Sequence, residues 1–217
     1  MKLFIDSGNI KDIETLAAIG IIDGVTTNPS LLAKEPGDYR ANLKKICQIV
    51  KGPVSGEVTA TDFAGMILQG HDIAKIDEHM IVKVPLTRDG IKACKSLSGE
   101  GIRVNVTLCF SAAQALLAAK AGATFVSPFV GRLDDIAMNG MDLIREIVEI
   151  YDNYEFTTEV LVASCRHPIH VTEAARMGAD IATCPPAVID QLFNHPLTNI
   201  GLEKFLKDWE KAQTVKA

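Results

Sequence analysis

The 217-residue sequence is 47% hydrophobic and 23% charged, which supports one sizeable hydrophobic core. Its net charge of -5 and pI near 5.5 argue against nucleic acid or an anionic membrane surface as the main partner. The five cysteines are dispersed without a CxxC pair, which favours reduced thiols in a cytoplasmic protein over a disulfide framework or a zinc site. The N-terminal segment reaches Asp6 after a short apolar run, so we expect no signal peptide. No run approaches the roughly 18 consecutive apolar residues of a membrane helix.

Short β-branched runs alternate with helical patterns along the chain. The predicted strands cover residues 3–6, 24–27, 54–59, 80–84, 103–108, 124–129, 159–163 and 181–184. The predicted helices cover residues 9–19, 39–50, 64–76, 89–97, 112–121, 141–151, 168–177 and 187–193. Glycine follows several of them, as at Gly20, Gly122 and Gly178, which is typical of a helix C-terminus.

Eight consecutive strand-then-helix units predict parallel strands, because each return to the same edge requires a crossover. In a chain of this length they favour a single (β/α)8 barrel domain over residues 1–217. The alternative is a doubly wound open sheet, which usually has a glycine-rich loop after its first strand. Here that position reads Asp6-Ser7-Gly8-Asn9 and the fingerprint is missing.

A further helix is predicted at about residues 202–213, after the eighth unit. Leu202, Phe205, Leu206 and Trp209 form one apolar face on it. That face either caps the barrel or docks on a neighbouring subunit, and the sequence leaves both alternatives open.

A lysine interrupts the apolar segment Ile81-Val82-Lys83-Val84-Pro85, which is predicted as a buried strand. Burial disfavours a charged ammonium, so a neutral amine that attacks a carbonyl to form a Schiff base becomes accessible. The structural alternatives are that Lys83 extends its amine to water from a strand end or pairs with a carboxylate.

Polar side chains are expected at the C-terminal ends of the other strands, which is where (β/α)8 barrels place their active sites. These residues are Asp6, Thr26, Thr27, Asn28, Glu57, Thr59, Asn105, Thr107, Ser127, Arg132, Ser164 and Arg166. A fold that needed only stability would not require so many polar groups at one level of the barrel.

Several of these residues also have a structural interpretation. Asp6 and Asn28 are suited to cap the helices that follow them. Thr26 and Thr107 are common strand residues, and Ser127 is suited to a plain strand end.

The same holds for the residues of the later strands. Arg132 is suited to pair with Asp134 or Asp135 across a turn, and Ser164 and Arg166 are suited to a solvated loop. Three histidines show no metal-ligand spacing and are expected at helix ends or on the surface: His167, His170 and His195.

Taken together, the polar set favours chemistry at Lys83. Asp6 suits proton transfer during imine formation, and Glu57 suits holding a water that relays the proton. Asn28 and Thr107 suit hydrogen bonds to substrate hydroxyls or to that water. Two arginines and a serine on the late strands predict a phosphate clamp.

Four segments resemble the transaldolase family, in the order that the family has them. They are Gly24-Val25-Thr26-Thr27-Asn28-Pro29-Ser30-Leu31, Ile81-Val82-Lys83-Val84-Pro85, Ser127-Pro128-Phe129-Val130-Gly131-Arg132-Leu133-Asp134-Asp135 and Ala163-Ser164-Cys165-Arg166. The resemblance spans essentially the whole chain. Its short length is similar to the small branch of this class I aldolase superfamily, which also contains fructose-6-phosphate aldolases.

The resemblance implies transfer of a dihydroxyacetone unit from sedoheptulose 7-phosphate to glyceraldehyde 3-phosphate, a step of the pentose phosphate pathway in the cytoplasm. Lys83 would form the Schiff base, Asp6 would be the general acid/base, and Glu57 and Thr107 would position the catalytic water. The implied substrate-binding residues are Thr26, Asn28, Asn105, Ser127, Phe129, Arg132, Ser164 and Arg166. The last three of these would hold the phosphate. The resemblance implies no cofactor and no metal, and it implies a ring-like homo-oligomer, a pentamer or decamer.

Two rival functions stay open at this point. The aldolases of the branch typically carry Gln at the position of Glu57 and Tyr at that of Phe129, so both residues here favour the transferase. A phenol is able to protonate the carbanionic intermediate and release it, whereas Phe129 is not. The second rival is a catalytically idle barrel that binds sugar phosphates.

Overall fold

In a computed structural model, which describes residues 1–214, eight parallel strands form a closed barrel in the order of the sequence. The strands are β1 (Lys2–Asp6), β2 (Gly24–Thr26), β3 (Val54–Glu57), β4 (Met80–Pro85), β5 (Val104–Cys109), β6 (Phe125–Pro128), β7 (Glu159–Val162) and β8 (Ile181–Cys184). β1 pairs with both β2 and β8, which closes the barrel. The predicted (β/α)8 barrel is therefore confirmed.

Helices follow every strand and cover the outside of the barrel. They are α1 (Ile10–Ala17), α2 (Pro29–Leu32), α3 (Tyr39–Val50), α4 (Phe63–Ala74), α5 (Arg88–Gly99), α6 (Ala112–Ala121), α7 (Val130–Asp134), α8 (Gly140–Asn153), α9 (Pro168–Met177), α10 (Pro186–Leu192) and α11 (Pro196–Thr214). Within residues 1–214, no helix is both long enough and apolar enough to cross a membrane.

The barrel interior has an apolar floor below a polar layer. Phe4, Ile81, Phe125, Leu161 and Ile181 form a buried cluster of their own, in which the rings of Phe4 and Phe125 meet edge to face at 6.1 Å. Successive side chains of a strand point to opposite faces, so the residues two positions later also point inward. The polar residues at those later positions are Asp6, Lys83, Ser127 and Thr183, whereas Ala163, directly after β7, extends the apolar cluster.

Strand register brings the polar layer to one level. Glu57 lies opposite Lys83 in the pairing of β3 with β4, and Lys83 lies opposite Asn105 in the pairing of β4 with β5. Asp6 lies opposite Thr26 in the pairing of β1 with β2. The residues predicted as a site on five different strands are therefore neighbours in space.

The main differences from the sequence prediction lie in two short helices, in β3 and in the last helix. The short helices α2 and α7 were not predicted, because five or fewer residues cannot show an apolar period. β3 ends at Glu57, before the predicted end at residue 59. The last helix begins at Pro196, six residues before the predicted start, since proline is favoured in the first turn.

No residue of α11 is buried, and Phe205 and Trp209 are 72% and 65% exposed. The helix therefore does not cap its own barrel, which excludes one of the two alternatives drawn from its apolar face. Residues 215–217 of the predicted domain lie outside the described residues.

Candidate active site

A cavity of about 190 Å³ opens at the C-terminal ends of the strands. It is lined by Asp6, Thr26, Asn28, Lys83, Ser127, Phe129, Arg132, Ala163, Ser164, Arg166 and Thr183. Most of the predicted site residues thus share one cavity. Three do not line it: Glu57, Asn105 and Thr107.

Lys83 enters this cavity from the middle of β4, with only 6% of its side chain exposed. Its Nζ lies 3.1 Å from Oε2 of Glu57 and donates a hydrogen bond of 3.1 Å to the carbonyl oxygen of Thr27. The amine therefore pairs with a carboxylate and does not reach out to bulk water. An ammonium has no lone pair, so Lys83 must be deprotonated before its nitrogen attacks a carbonyl.

Glu57 reaches Lys83 from the neighbouring strand and also borders a second, larger cavity of about 640 Å³. That cavity lies beside α2 and α4 and is lined by Pro29, Leu32, Tyr39 and Gln69 among others. Glu57 thus stands between the lysine and a space open to solvent. A carboxylate so placed is suited to exchange a proton between the amine and water.

Asp6 ends β1 within a chain of hydroxyl groups. Thr26 Oγ1 donates to Asp6 Oδ1 at 2.9 Å and lies 2.7 Å from Thr183 Oγ1. Since Thr26 has one hydroxyl proton, Thr183 is the donor in the second bond. Asn9, not Asp6, caps α1, so the capping interpretation of Asp6 is wrong.

Burial raises the pKa of the Asp6 carboxyl above its usual value, against the opposing effects of the Lys83 charge and the Thr26 hydrogen bond. A raised pKa brings the neutral acid closer to physiological pH. A carboxyl that exchanges its proton near working pH is suited to general acid/base catalysis.

A buried network holds the predicted residues of β5 and β6. Asn105 donates to Ser55 Oγ at 3.2 Å and accepts from Ser127 Oγ at 2.7 Å. These bonds fix the amide of Asn105, which lies beneath the cavity and does not line it.

Thr107 is the exception among the buried polar groups. Its Oγ1 has no hydrogen-bond partner among residues 1–214. Leu108, the next residue, adopts a positive φ of 59°, where the pairing of β5 with β6 shifts register. A buried hydroxyl without a protein partner is suited to bind a water or substrate hydroxyl.

Two arginines line the cavity on its β6–β7 side. The Arg132 guanidinium carbon lies 5.0 Å from the centre of the Phe129 ring, a cation–π contact. Arg166 pairs with Asp135 at 2.9 Å. The aspartate partner that one interpretation of the sequence gives to Arg132 is therefore the partner of Arg166.

Ser164 joins this side of the cavity in a left-handed conformation, with φ of 61°. Its carbonyl oxygen accepts a 3.1 Å hydrogen bond from the backbone N–H of Gly131. A non-glycine residue in this region is uncommon and is enriched at functional sites.

Asn28 caps a helix and also lies in the cavity wall. Its Oδ1 accepts a 3.0 Å hydrogen bond from the N–H of Leu31 and caps α2, and the side chain also lines the cavity. Its amide nitrogen therefore keeps two protons that can be donated to a ligand.

The sequence analysis missed Thr183, which lines the cavity, and the contacts of His170, which lies outside the lining. Thr183 follows Ile181 by two positions, so the alternation of the strand already placed it inward. His170 lies in the first turn of α9, which agrees with its expected place at a helix end, but it is buried and pairs with Asp134 at 3.0 Å, so the surface alternative is wrong. Its spacing from Ala174 placed it on the buried face of α9.

Among residues 1–214, no group of three or more His, Cys, Asp or Glu side chains is arranged to hold a metal ion.

The family model described as Transaldolase/Fructose-6-phosphate aldolase matches residues 3–216. The chain belongs to this family. A protein of Anaeromyxobacter sp. (strain K), named probable transaldolase, is 59% identical over 211 residues, which cover 97% of each chain. One from Methanococcus vannielii, also named probable transaldolase, is 60% identical over 210 residues, or 97% of this chain and 98% of that protein. A third of that name, from Kosmotoga olearia, is 56% identical over 211 residues, 97% of each chain.

The four segments that resemble the transaldolase family all reach the cavity. They contribute Asn28, Lys83, Arg132 and Arg166 to its lining. The resemblance and the cavity therefore select the same end of the barrel.

Proposed function

We propose that this chain is a transaldolase of the pentose phosphate pathway that acts through a Schiff base on Lys83. The reaction moves a dihydroxyacetone unit from sedoheptulose 7-phosphate to glyceraldehyde 3-phosphate and gives erythrose 4-phosphate and fructose 6-phosphate. One observation carries the proposal: a buried amine, a carboxyl of raised pKa and two guanidinium groups line the same small cavity. This combination suits a ketose phosphate, since each of its reacting groups meets a complementary side chain.

The first stage forms the imine. Glu57 takes the proton of the Lys83 ammonium and passes it to water, and the free amine attacks the ketone carbon of the donor. Asp6 donates a proton to the resulting hydroxyl, which leaves as water. Thr107, together with Glu57, holds this water. The protonated imine then withdraws electrons from the adjacent carbon–carbon bond.

The second stage transfers the three-carbon unit. The Asp6 carboxylate accepts the proton of the donor hydroxyl beside the breaking bond, and erythrose 4-phosphate leaves as the aldehyde. The enamine on Lys83 attacks the carbonyl carbon of glyceraldehyde 3-phosphate, whose oxygen receives the proton back from Asp6. Hydrolysis of the new imine releases fructose 6-phosphate and restores the amine.

Substrate positioning falls to the remaining polar groups. Arg132, Ser164 and Arg166 hold the phosphate, because guanidinium groups bind phosphate oxygens with paired hydrogen bonds. Asn28 donates to donor hydroxyls. The Asp135 partner of Arg166 is exposed, so phosphate displaces it at little cost.

The alternative function is that of a fructose-6-phosphate aldolase, which the family description includes. Phe129 is the observation that favours transfer. It lines the cavity with an apolar ring packed against Phe110 at 5.8 Å and Arg132 at 5.0 Å, and it has no proton to give to the enamine. The intermediate therefore waits for an aldehyde acceptor.

The test compares the two reactions in one preparation. Fructose 6-phosphate is supplied with and without erythrose 4-phosphate, and sedoheptulose 7-phosphate and free dihydroxyacetone are both measured. We expect rapid transfer with acceptor and slow dihydroxyacetone release without it, and no product from Lys83→Ala. Dihydroxyacetone release as fast as transfer would establish the aldolase. No product from either reaction would favour a catalytically idle barrel that binds sugar phosphates.

We also propose that the chain is a cytoplasmic, ring-like homo-oligomer in which α11 docks on a neighbouring subunit. Support comes from the exposed apolar residues of this helix, which are Leu197, Ile200, Leu202, Phe205, Leu206 and Trp209. So large an exposed patch is unusual for a monomer. Light scattering of the full chain should give five or ten subunits, and Phe205→Glu with Trp209→Glu should give monomers. A monomeric full chain would refute this.

A further inference from the structure

The structure assigns His170 a role as a positioning residue that joins the two arginine-bearing segments of the cavity. One segment is α7, which carries Arg132, and the other is the turn between β7 and α9, which carries Arg166. This inference rests on the proposed phosphate site, and it adds a residue whose side chain does not line that site.

The imidazole of His170 contacts one segment with each nitrogen. Its Nδ1 accepts a 3.2 Å hydrogen bond from the backbone N–H of Arg166, and its Nε2 lies 3.0 Å from Oδ2 of Asp134 on α7. A backbone N–H can only donate, so Nδ1 has no proton and Nε2 carries it toward the carboxylate. A single tautomer of the neutral ring satisfies both contacts.

Backbone hydrogen bonds also join the same two segments, so the imidazole adds to an existing junction. The N–H groups of Val130 and Gly131 donate to the carbonyl oxygens of Ala163 and Ser164, both at 3.1 Å. These two bonds hold the segments together at residues 163 and 164, before Arg166. His170 adds the contact at Arg166 itself, from which one of the two guanidinium groups extends.

Close packing against Gly131 restricts the conformation of the Arg166 side chain. A Cβ at Gly131 would lie 2.7 Å from both Cγ and Nε of Arg166, so the arginine stem crosses directly over this glycine. A shift of the Arg166 backbone would therefore move its guanidinium group. The backbone N–H that anchors this residue is the one bonded to His170.

The surroundings keep the imidazole neutral. Burial lowers the pKa of His170, and so does the neighbouring His167, whose ring lies 3.9 Å away centre to centre. Asp134 and Glu173 oppose this effect without reversing it. A protonated ring would point an N–H at the N–H of Arg166 and lose that contact.

Three substitutions separate the two contacts. His170→Asn places an amide oxygen near the position of Nδ1 and keeps an acceptor for Arg166. His170→Gln reaches toward Asp134 with an amide N–H₂ and keeps that bond. His170→Ala loses both. His79→Ala is the matched control, because His79 also pairs with an aspartate, Asp77 at 2.8 Å. His79 lies just before the N-terminal end of β4, whereas the cavity lies at the C-terminal ends of the strands.

The experiment measures phosphate recognition in two ways on the full chain. Calorimetric titration gives the Kd of inorganic phosphate, and steady-state kinetics give KM and kcat with fructose 6-phosphate and with fructose as donors. We expect His170→Ala to raise the phosphate Kd and the fructose 6-phosphate KM about tenfold, the effect of one lost hydrogen bond. Its kcat, and all constants with fructose, should stay near wild type. His170→Asn should restore most of the loss, and His79→Ala should show none.

Unchanged phosphate Kd in folded His170→Ala would overturn the inference, and so would equal losses with fructose and fructose 6-phosphate. If His170→Ala does not fold, the comparison of His170→Asn with His170→Gln decides, and equal phosphate affinity in the two overturns it. Wild-type protein that binds phosphate without transferring the three-carbon unit would refute the proposed function alone. Wild-type protein that binds no phosphate would refute the phosphate site and this inference together.

Discussion

Thr107→Val separates a catalytic hydroxyl from a structural one. The substitution replaces the Thr107 hydroxyl by a methyl group and breaks no hydrogen bond to residues 1–214. We therefore expect the free energy of unfolding to stay within about 1 kcal/mol of wild type, because no protein partner loses its bond. If the hydroxyl helps to hold the catalytic water, kcat should fall about 100-fold.

Thr26→Val is the matched control, since it makes the same chemical change at another buried threonine, on β2. It loses the bonds to Asp6 and Thr183 and should lower the free energy of unfolding by about 2–4 kcal/mol, from one charged and one neutral hydrogen bond. Stability comes from urea denaturation of both variants and activity from the transfer assay. Wild-type kcat in Thr107→Val, or a loss of stability as large as that of Thr26→Val, would refute the assigned role.

Three further predictions follow from the site. Glu57→Gln with Phe129→Tyr should raise dihydroxyacetone release relative to transfer, because a phenol can protonate the enamine; an unchanged ratio in the two-product assay counts against both roles. Arg132→Ala should raise KM for phosphorylated donors more than tenfold with little change in kcat, and an unchanged KM contradicts the clamp. The lowered pKa of His170 means that the unfolded chain binds a proton more readily than the native chain. The contribution of His170 to native stability should therefore be fully present above pH 6.5 and be lost as the pH drops below it, and urea denaturation of His170→Asn should show a smaller loss of stability there.

Much of the fold was visible in the sequence because strand and helix periods differ. The segments around Lys83 and Asn105 were recognised as strands from their buried β-branched residues, and their parallel pairing followed from the crossovers. The helices α2 and α7 are too short to show a helical period in the sequence, and tertiary contacts stabilise them. One of these contacts is the 3.1 Å bond from Val130 to Ala163 across two segments.

The sequence predicts which residues share the cavity, but it does not predict which of them form hydrogen bonds and ion pairs with one another. Alternation along the strands and the common level of their ends placed Asp6 and Lys83 in one cavity. The choice of Glu57 as the lysine partner depended on strand register, which the sequence does not specify. Asp134, the partner of His170, is the last residue of α7, and Asp135, the partner of Arg166, follows it; periodicity could not show this helix.

The central claim is that the amine of Lys83 condenses with the ketone of a sugar phosphate. Borohydride reduction in the presence of fructose 6-phosphate, followed by peptide mass spectrometry, tests it most directly. We predict one covalent adduct on the peptide that contains Lys83. It should be absent without donor and absent in Lys83→Ala, whose folding is verified by circular dichroism. An adduct on a different lysine, or turnover with no adduct at all, would contradict the account.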